Sequence, residues 1–261
     1  MTLAARIRGV GLVGPGWSSW TEAREVLAGR VPYAPRPTAA PAPDVLPATE
    51  RRRAGKSVRI ALGAGLAAAA DAGLAPKDLA TIFASSGGDG DTLHEICETL
   101  ASDDRSISPT RFHNSVHNAP AGYWGIATGA MQPSDTVAAF DASFAAGLLE
   151  AATRVAANPS MPVLLVSYDA PYPEPLHGAR PIMDTFGVGL VLDGGELGAR
   201  IAMRIADDAP TTLADEALDS LRRGIPAARS LPLMRMLARG ERGSVALEYL
   251  GGRSLVVEVA P

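Results

Sequence analysis

Short apolar runs recur along this chain between longer Ala-rich stretches of helical spacing, with small-residue turns separating the two. Ile7–Val13 predicts a first strand that stops at Gly14-Pro15-Gly16, with Trp17 and Trp20 just beyond. Tyr33–Pro47 is rich in Pro and Ala and predicts an extended surface loop, not a linker, because nothing before it could fold alone. Ser57–Leu74 predicts an Ala-rich helix ending at Gly73, Ala80–Ser85 a buried strand, and Thr92–Leu100 the next helix. The apolar run Thr136–Phe140 predicts a short strand, and Leu148–Ala157 a long helix after it. Pro162–Ser167 and Gly187–Gly194 are continuous apolar runs of the kind buried on both faces of a sheet. Ala199–Ile205 predicts a further strand, Leu213–Arg223 and Leu231–Arg239 two helices, and Ser244–Leu247 and Ser254–Val259 two closing strands. Strands alternating with helices indicate a layered α/β fold.

Composition narrows the class. The chain has 261 residues, 47% hydrophobic and 20% charged, with a formal net charge of −4. That is enough apolar material for a large core in one unit, and the 27 glycines and many alanines suit close helix–sheet packing. The slight negative charge and the lack of a basic stripe argue against nucleic acid or an anionic membrane as the main partner. Arg51-Arg52-Arg53 is a local cluster of the kind found at a solvated helix start. The Met1–Arg8 segment has no charged region followed by an apolar one, so no signal peptide is expected. The longest apolar run, Ile60–Ala70, is too short to span a bilayer. Cys97 is the only cysteine, which excludes an internal disulfide and leaves a cytoplasmic protein as the expectation.

The most informative residues are Asp141-Ala142-Ser143-Phe144-Ala145-Ala146-Gly147-Leu148. A small-residue turn between a buried strand and a helix N-terminus can present a nucleophile, because the helix dipole and free N–H groups stabilise an anion there. The stretch resembles the nucleophile turn of the β-ketoacyl synthases, Asp-Thr-Ala-Cys-x-Ser-Gly-Leu. Aligning on Asp141 and Gly147-Leu148 needs no gap and puts Phe144, which has no nucleophilic atom, where that family carries its reactive cysteine. A one-residue shift would instead place Ser143 there, at the cost of the Gly-Leu match.

Three further segments carry the resemblance over nearly the whole chain. Asn114-Ser115-Val116-His117-Asn118-Ala119-Pro120-Ala121-Gly122-Tyr123-Trp124 is similar to the loop and helix that precede the nucleophile strand and line the dimer interface. Phe186–Leu192 is similar to the glycine-bearing strand that ends the first half, and Leu250–Val256 to the closing Gly-Gly hairpin. The resemblance implies a thiolase-like fold in a single domain over 1–261, with 1–194 as the first half and 195–261 as a shortened second half.

The departures shape what the resemblance implies about function. The His-Gly-Thr-Gly-Thr motif is absent, and no histidine follows His177. Decarboxylative condensation needs a thiolate and imidazoles that stabilise the developing enolate and oxyanion. The implied role is therefore that of a non-catalytic chain-length-factor-like subunit of bacterial aryl polyene pathways. Such a subunit forms a heterodimer with a full-length β-ketoacyl synthase, meets an acyl carrier protein transiently and needs no cofactor. Phe144, Phe140, Asp141, His113, Asn114, His117, Asn118, Tyr123 and Trp124 are its expected tunnel and interface residues. The competing expectation is an acyltransferase or hydrolase using Ser143, or a homodimeric acyl-binding module, with a base drawn from the His113/His117 loop.

Other candidate sites carry less. His113 and His117 have the i, i+4 spacing of a metal pair but no third ligand, so no metal is expected. Gly87-Gly88-Asp89-Gly90 lacks the Lys-Ser/Thr of a phosphate loop and reads as a tight turn. Asp169 and Glu174 sit at a Pro-rich segment where solvated charge is the plain expectation. Asp141 is expected to cap its turn through backbone hydrogen bonds.

Overall fold

The computed structural model describes residues 3–261, so Met1 and Thr2, where the segment read for a leader begins, lie outside the described residues. Eight strands form one sheet: β1 Leu3–Val13, β2 Ala80–Ala84, β3 Ser134–Val137, β4 Val163–Asp169, β5 Phe186–Asp193, β6 Ala199–Ala206, β7 Gly243–Glu248 and β8 Ser254–Ala260. The helices of the first half are α1 Trp20–Leu27, α2 Ala48–Arg53, α3 Lys56–Ala72, α4 Gly90–Ala101, α5 Pro109–Asn114 and α6 Ala119–Thr128. Four more follow: α7 Ser143–Ala157, α8 Leu176–Ala179, α9 Glu216–Gly224 and α10 Leu231–Arg239. Among the described residues no helix is long and apolar enough to cross a membrane.

The sheet order is β3-β2-β4-β5-β1-β6-β8-β7. β2 runs parallel to β3 and β4, and every other pairing is antiparallel. All seven residues of β4 and all eight of β5 are buried, because both faces of these strands are covered. On one face lies α3, with Tyr123 and Trp124 of α6 beside it; on the other lies α7, whose core continues through α1, α9 and α10. β6 pairs with β1, so residues 199–260 extend the same sheet.

α3 sets the centre of the molecule. Its middle and C-terminal turns are mostly Ala and Gly, and Gly73 (φ +66°) ends it in a left-handed cap that returns hydrogen bonds to Ala69 and Ala70. It approaches the sheet so closely that a Cβ at Gly11 would sit 2.1 Å from the Ala64 carbonyl oxygen, and one at Gly189 would sit 2.4 Å from the same atom. These two glycines are register partners on β1 and β5. The glycines read in the Phe186–Leu192 segment are therefore there for helix–sheet approach. The Asp71 carboxylate accepts from Val10 N–H at 2.9 Å, and Arg8 Nε donates to the Ala72 carbonyl at 3.1 Å, tying the helix end to the irregularity in β1 between Ile7 and Gly9.

Observed bounds differ from the expected ones where no periodic apolar signal existed. α7 begins at Ser143, not Leu148, since Ala145, Ala146 and Gly147 are small residues without an amphipathic pattern. The strand expected over Thr136–Phe140 is Ser134–Val137, and Ala138–Phe140 already belong to the turn. β3 is a sheet edge whose residues are Ser, Asp, Thr and Val, so that edge is polar and not apolar.

The close approach gives a direct test. Gly11→Ala must push α3 off the sheet and is expected to cost about 1–3 kcal/mol or more of unfolding free energy. Gly122→Ala, on an exposed position of α6 with no atom within 4 Å of the added methyl, is expected to gain about 0.5–1 kcal/mol. Chemical denaturation of both variants checks the pair.

Candidate functional site

The ends of β2 and β3 lie side by side, with Ala84 opposite Val137 and Ser85 N–H donating to the Val137 carbonyl at 3.2 Å. Beyond Val137 the chain reverses within five residues and enters α7. Its apex is Phe140, with φ +52°, the one non-glycine residue in left-handed backbone among the described residues. Such a conformation is costly for a bulky residue and persists only where its surroundings hold it. Ser143 is the main staple: its fully buried Oγ donates to the Phe140 carbonyl at 2.7 Å and accepts from Ala139 N–H at 3.0 Å.

This geometry corrects two expectations. Phe144 does not occupy the turn; it lies one residue into α7, 1% exposed, in the core against the sheet. Phe140 stands at the apex, and its ring is 60% exposed. Ser143 is on the helix side of the turn with its hydroxyl committed to backbone, and no imidazole hydrogen-bonds to it. An attacking hydroxyl needs a base within reach and a free path to substrate, and Ser143 has neither in this arrangement.

Charged side chains surround the apex. The Arg180 guanidinium carbon sits 3.6 Å from the Phe140 ring centroid, a cation–π stack. Arg180 Nη2 also donates to Asp141 Oδ1 at 2.5 Å, and Arg229 Nη2 donates to Asp141 Oδ2 at 2.9 Å. Arg229 reaches onward to the Glu248 carboxylate. Asp141 therefore bridges two arginines and does not cap the turn through backbone N–H groups. Burial lowers the pKa of Arg229 from the usual arginine value, and the Asp141 carboxylate opposes that shift.

Asp169, the last residue of β4, corrects a further expectation: it is 2% exposed and not solvated. Ser86 N–H and Oγ donate to its Oδ1 at 2.9 and 2.7 Å, Ser85 Oγ at 3.3 Å, and Ala227 N–H to its Oδ2 at 2.8 Å. Burial pushes its pKa up to about 6, with the Ser86 hydrogen bonds pulling the other way. The carboxyl pins the turn after β2 to the 3-10 segment Pro226–Ser230, which carries Arg229.

Of the remaining expected residues, Asn114, Tyr123 and Trp124 are buried, whereas His113 and Asn118 are exposed. Asn114 is buried, donates to the Arg53 carbonyl at 3.0 Å and accepts from the Tyr123 hydroxyl at 3.1 Å. Tyr123 and Trp124 are core residues, and Trp124 meets the edge of Phe83 with ring centroids 6.3 Å apart. Asn118 stands exposed at the start of α6. His113 is exposed, whereas the His117 ring packs on Gly88 with a buried Nε2, so the two imidazoles do not share one environment. Asp89 caps α4 by accepting from Thr92 N–H at 3.0 Å, as befits a tight turn, and Tyr172 lies over Gly87 and Gly90. Glu174 accepts from Gly178 N–H at 3.2 Å. Arg180, Arg229 and Glu248 were invisible to sequence reading: the two arginines lie 39 and 88 residues from Asp141, and no local motif marks them.

A strand–turn–helix that presents its apex at the end of a mixed sheet, with helices on both faces, is the thiolase-like ketosynthase fold. The chain belongs to the family described as "Beta-ketoacyl synthase, N-terminal domain", whose profile matches residues 17–246. Among solved structures, it is similar to a chain of the complex of ketosynthase ApeO with its chain length factor ApeC from Xenorhabdus doucetiae. That match has 25% identity and a TM-score of 0.74, and it covers 98% of this chain and 99% of that one. The ishigamide ketosynthase/chain length factor matches at 13% identity and TM-score 0.72, again over 98% and 99% of the two chains. The module 1 ketosynthase of the bacillaene synthase from Bacillus amyloliquefaciens matches at 12% identity and TM-score 0.59, over 81% of this chain but 47% of that one. No match was found among curated proteins.

Two outcomes follow from the geometry. Ser143→Ala is expected to cost about 1–3 kcal/mol, since it leaves the Ala139 N–H and Phe140 carbonyl without their partner; thermal unfolding measures this. Asp169 has a raised pKa in the folded state, so its stabilising contribution is fully present below its unfolded value near 3.8 and is lost as pH rises through about 6. Relative to Asp169→Asn, the wild-type chain is expected to lose about 2 kcal/mol of stability between pH 4 and pH 7. Denaturation of both proteins at the two pH values reads the difference.

Proposed function

We propose that this chain is a non-catalytic, chain-length-factor-like partner of a full-length β-ketoacyl-ACP synthase. It pairs with the synthase along the β3 edge and walls the acyl tunnel of an aryl polyene-type pathway, with an acyl carrier protein as transient visitor. The observation that carries this reading is the turn itself, which presents the Phe140 ring under Arg180 and no nucleophile. A second observation supports the partner surface. Among the described residues, half of the exposed large apolar side chains fall between Leu93 and Phe140, and of these Ile126 lies on α6, which packs on β3, while Met131 lies in the loop that leads into it. An edge strand with unpaired backbone groups beside such side chains favours pairing with another chain. The likeness to chains from ketosynthase/chain length factor complexes agrees with this reading.

In this role Phe140 takes the part that the sequence assigned to Phe144. An exposed aromatic ring held by a cation and by a rigid turn has the character of an interface anchor. Ser143, by contrast, acts only through the backbone of the turn.

The test is co-expression with a full-length β-ketoacyl synthase from the same genome, followed by native mass spectrometry. A heterodimer with the acyl adduct confined to the partner is expected, and Phe140→Asp is expected to weaken assembly at least about tenfold. A homodimer that ignores the ketosynthase, or an acyl adduct on this chain, would overturn the reading.

A further inference from the structure

The half of the sheet that α3 leaves bare carries a charge arrangement that neither the fold nor the proposed partner role uses. Side chains of β6 and β8 alternate between two faces. Ile201, Met203, Val257 and Val259 point into the core shared with α10, which leaves Arg200, Ala202, Glu258 and Ala260 on the open side. Arg200 stands directly opposite Arg6 of β1, and like charges in that position repel.

Nearby groups do not neutralise this pair. Arg6 Nη1 donates to the Gly198 carbonyl at 2.8 Å. Asp193, the partner of Arg6 on β5, already accepts from Arg8 at 3.4 Å and from Gly195 N–H at 3.0 Å. Among the described residues the Arg200 and Arg242 guanidinium groups make no ion pair. Both line a cavity of about 390 Å³ whose floor is small side chains, Ala202, Ser244 and Ala260, with Glu258 beside them. A second cavity of about 260 Å³ adjoins it at Arg200 and reaches Arg6 and Asp193. The trough lies toward the β7 edge of the sheet, away from β3. It is a local basic concentration on a chain of net charge −4.

We propose that this trough binds a small phosphate ester, with Arg200 and Arg242 holding the phosphate and Glu258 accepting a hydrogen bond from a hydroxyl or amine of the same ligand. Guanidinium groups match phosphate oxygens in a planar, two-point fashion. The shallow alanine and serine floor lets the ligand reach the sheet, and the volume falls within the ordinary range for small-molecule sites, about 300–1,000 Å³. An anion held at Arg200 offsets the cross-strand repulsion between that residue and Arg6. The site is independent of the partner role and stands or falls without it.

Isothermal titration of the full chain with pyrophosphate and with phosphoethanolamine tests the assignment, with the melting curve of each variant as a folding check. Both probes are expected to bind, and Arg200→Gln to weaken both at least about tenfold. Arg30→Gln, which removes an exposed arginine paired with Glu25 at 2.7 Å, is expected to leave both unchanged. Glu258→Gln has opposite expected effects: tighter pyrophosphate, because a repelling carboxylate is gone, and weaker phosphoethanolamine, because the ammonium loses its charge-assisted partner. Absence of binding to the wild-type chain overturns the proposal. So does an equal loss in Arg30→Gln and Arg200→Gln, or a Glu258→Gln effect of the same sign on both probes.

Discussion

The backbone of α3 rests on a pair of facing glycines, Gly11 of β1 and Gly189 of β5, and the rest of the architecture depends on that contact. With no Cβ on either strand at this level, the helix lies closer to the sheet than any other residue would allow. The apolar rows of β4 and β5 are thereby sealed on this face, while α7 seals the other. Because α3 is centred over β1, β5 and β4, it cannot also cover β6, β8 and β7. That half of the sheet keeps a polar, arginine-bearing face, and the two halves of one sheet acquire different surfaces from the placement of a single helix.

At the far end of the central strands, polar groups do what apolar packing does at the centre. The turn after β3 holds a bulky residue in left-handed backbone, an unfavourable choice on its own. It persists because Ser143 closes the turn from within and two arginines grip Asp141 from outside. Arg229 in turn sits on a segment anchored by the buried carboxyl of Asp169. The Ser143 hydroxyl and the Asp141 and Asp169 carboxylates all find partners, whereas Arg229 Nε is buried without one; the satisfied groups rigidify the segments they join. The result is a turn shaped like a nucleophile elbow and filled by groups that hold it still.

The strongly patterned elements were legible in the sequence. β4 and β5 are continuous apolar runs, α10 is amphipathic with a closing glycine, and α3 ends at Gly73 where the small-residue pattern stops. Weakly patterned elements were less legible. α1 and the first turn of α7 lack a long apolar period, and β3 is a polar edge strand. At the candidate site the motif was visible but its geometry was not. Phe140 and Phe144 are four residues apart, and the Gly147-Leu148 spacing favours the second. Which ring faces solvent is decided by where the backbone reverses. Asp169 looked solvated because prolines follow it, yet the strand runs on to include it and two serines from the turn after β2 enclose it.

By itself, the amino-acid order determined that this chain folds as a layered α/β protein of the ketosynthase kind and that its turn lacks a cysteine. Those properties reside in local periodicity and in the chemistry of single side chains, which need no neighbour to be read. Tertiary structure alone decided that Phe140 is the apex, that Arg180, Arg229 and Glu248 converge on Asp141, and that Arg6 faces Arg200 across two strands. Each of these is a meeting of residues far apart in the chain, set by sheet register and helix placement, and no local pattern encodes such a meeting.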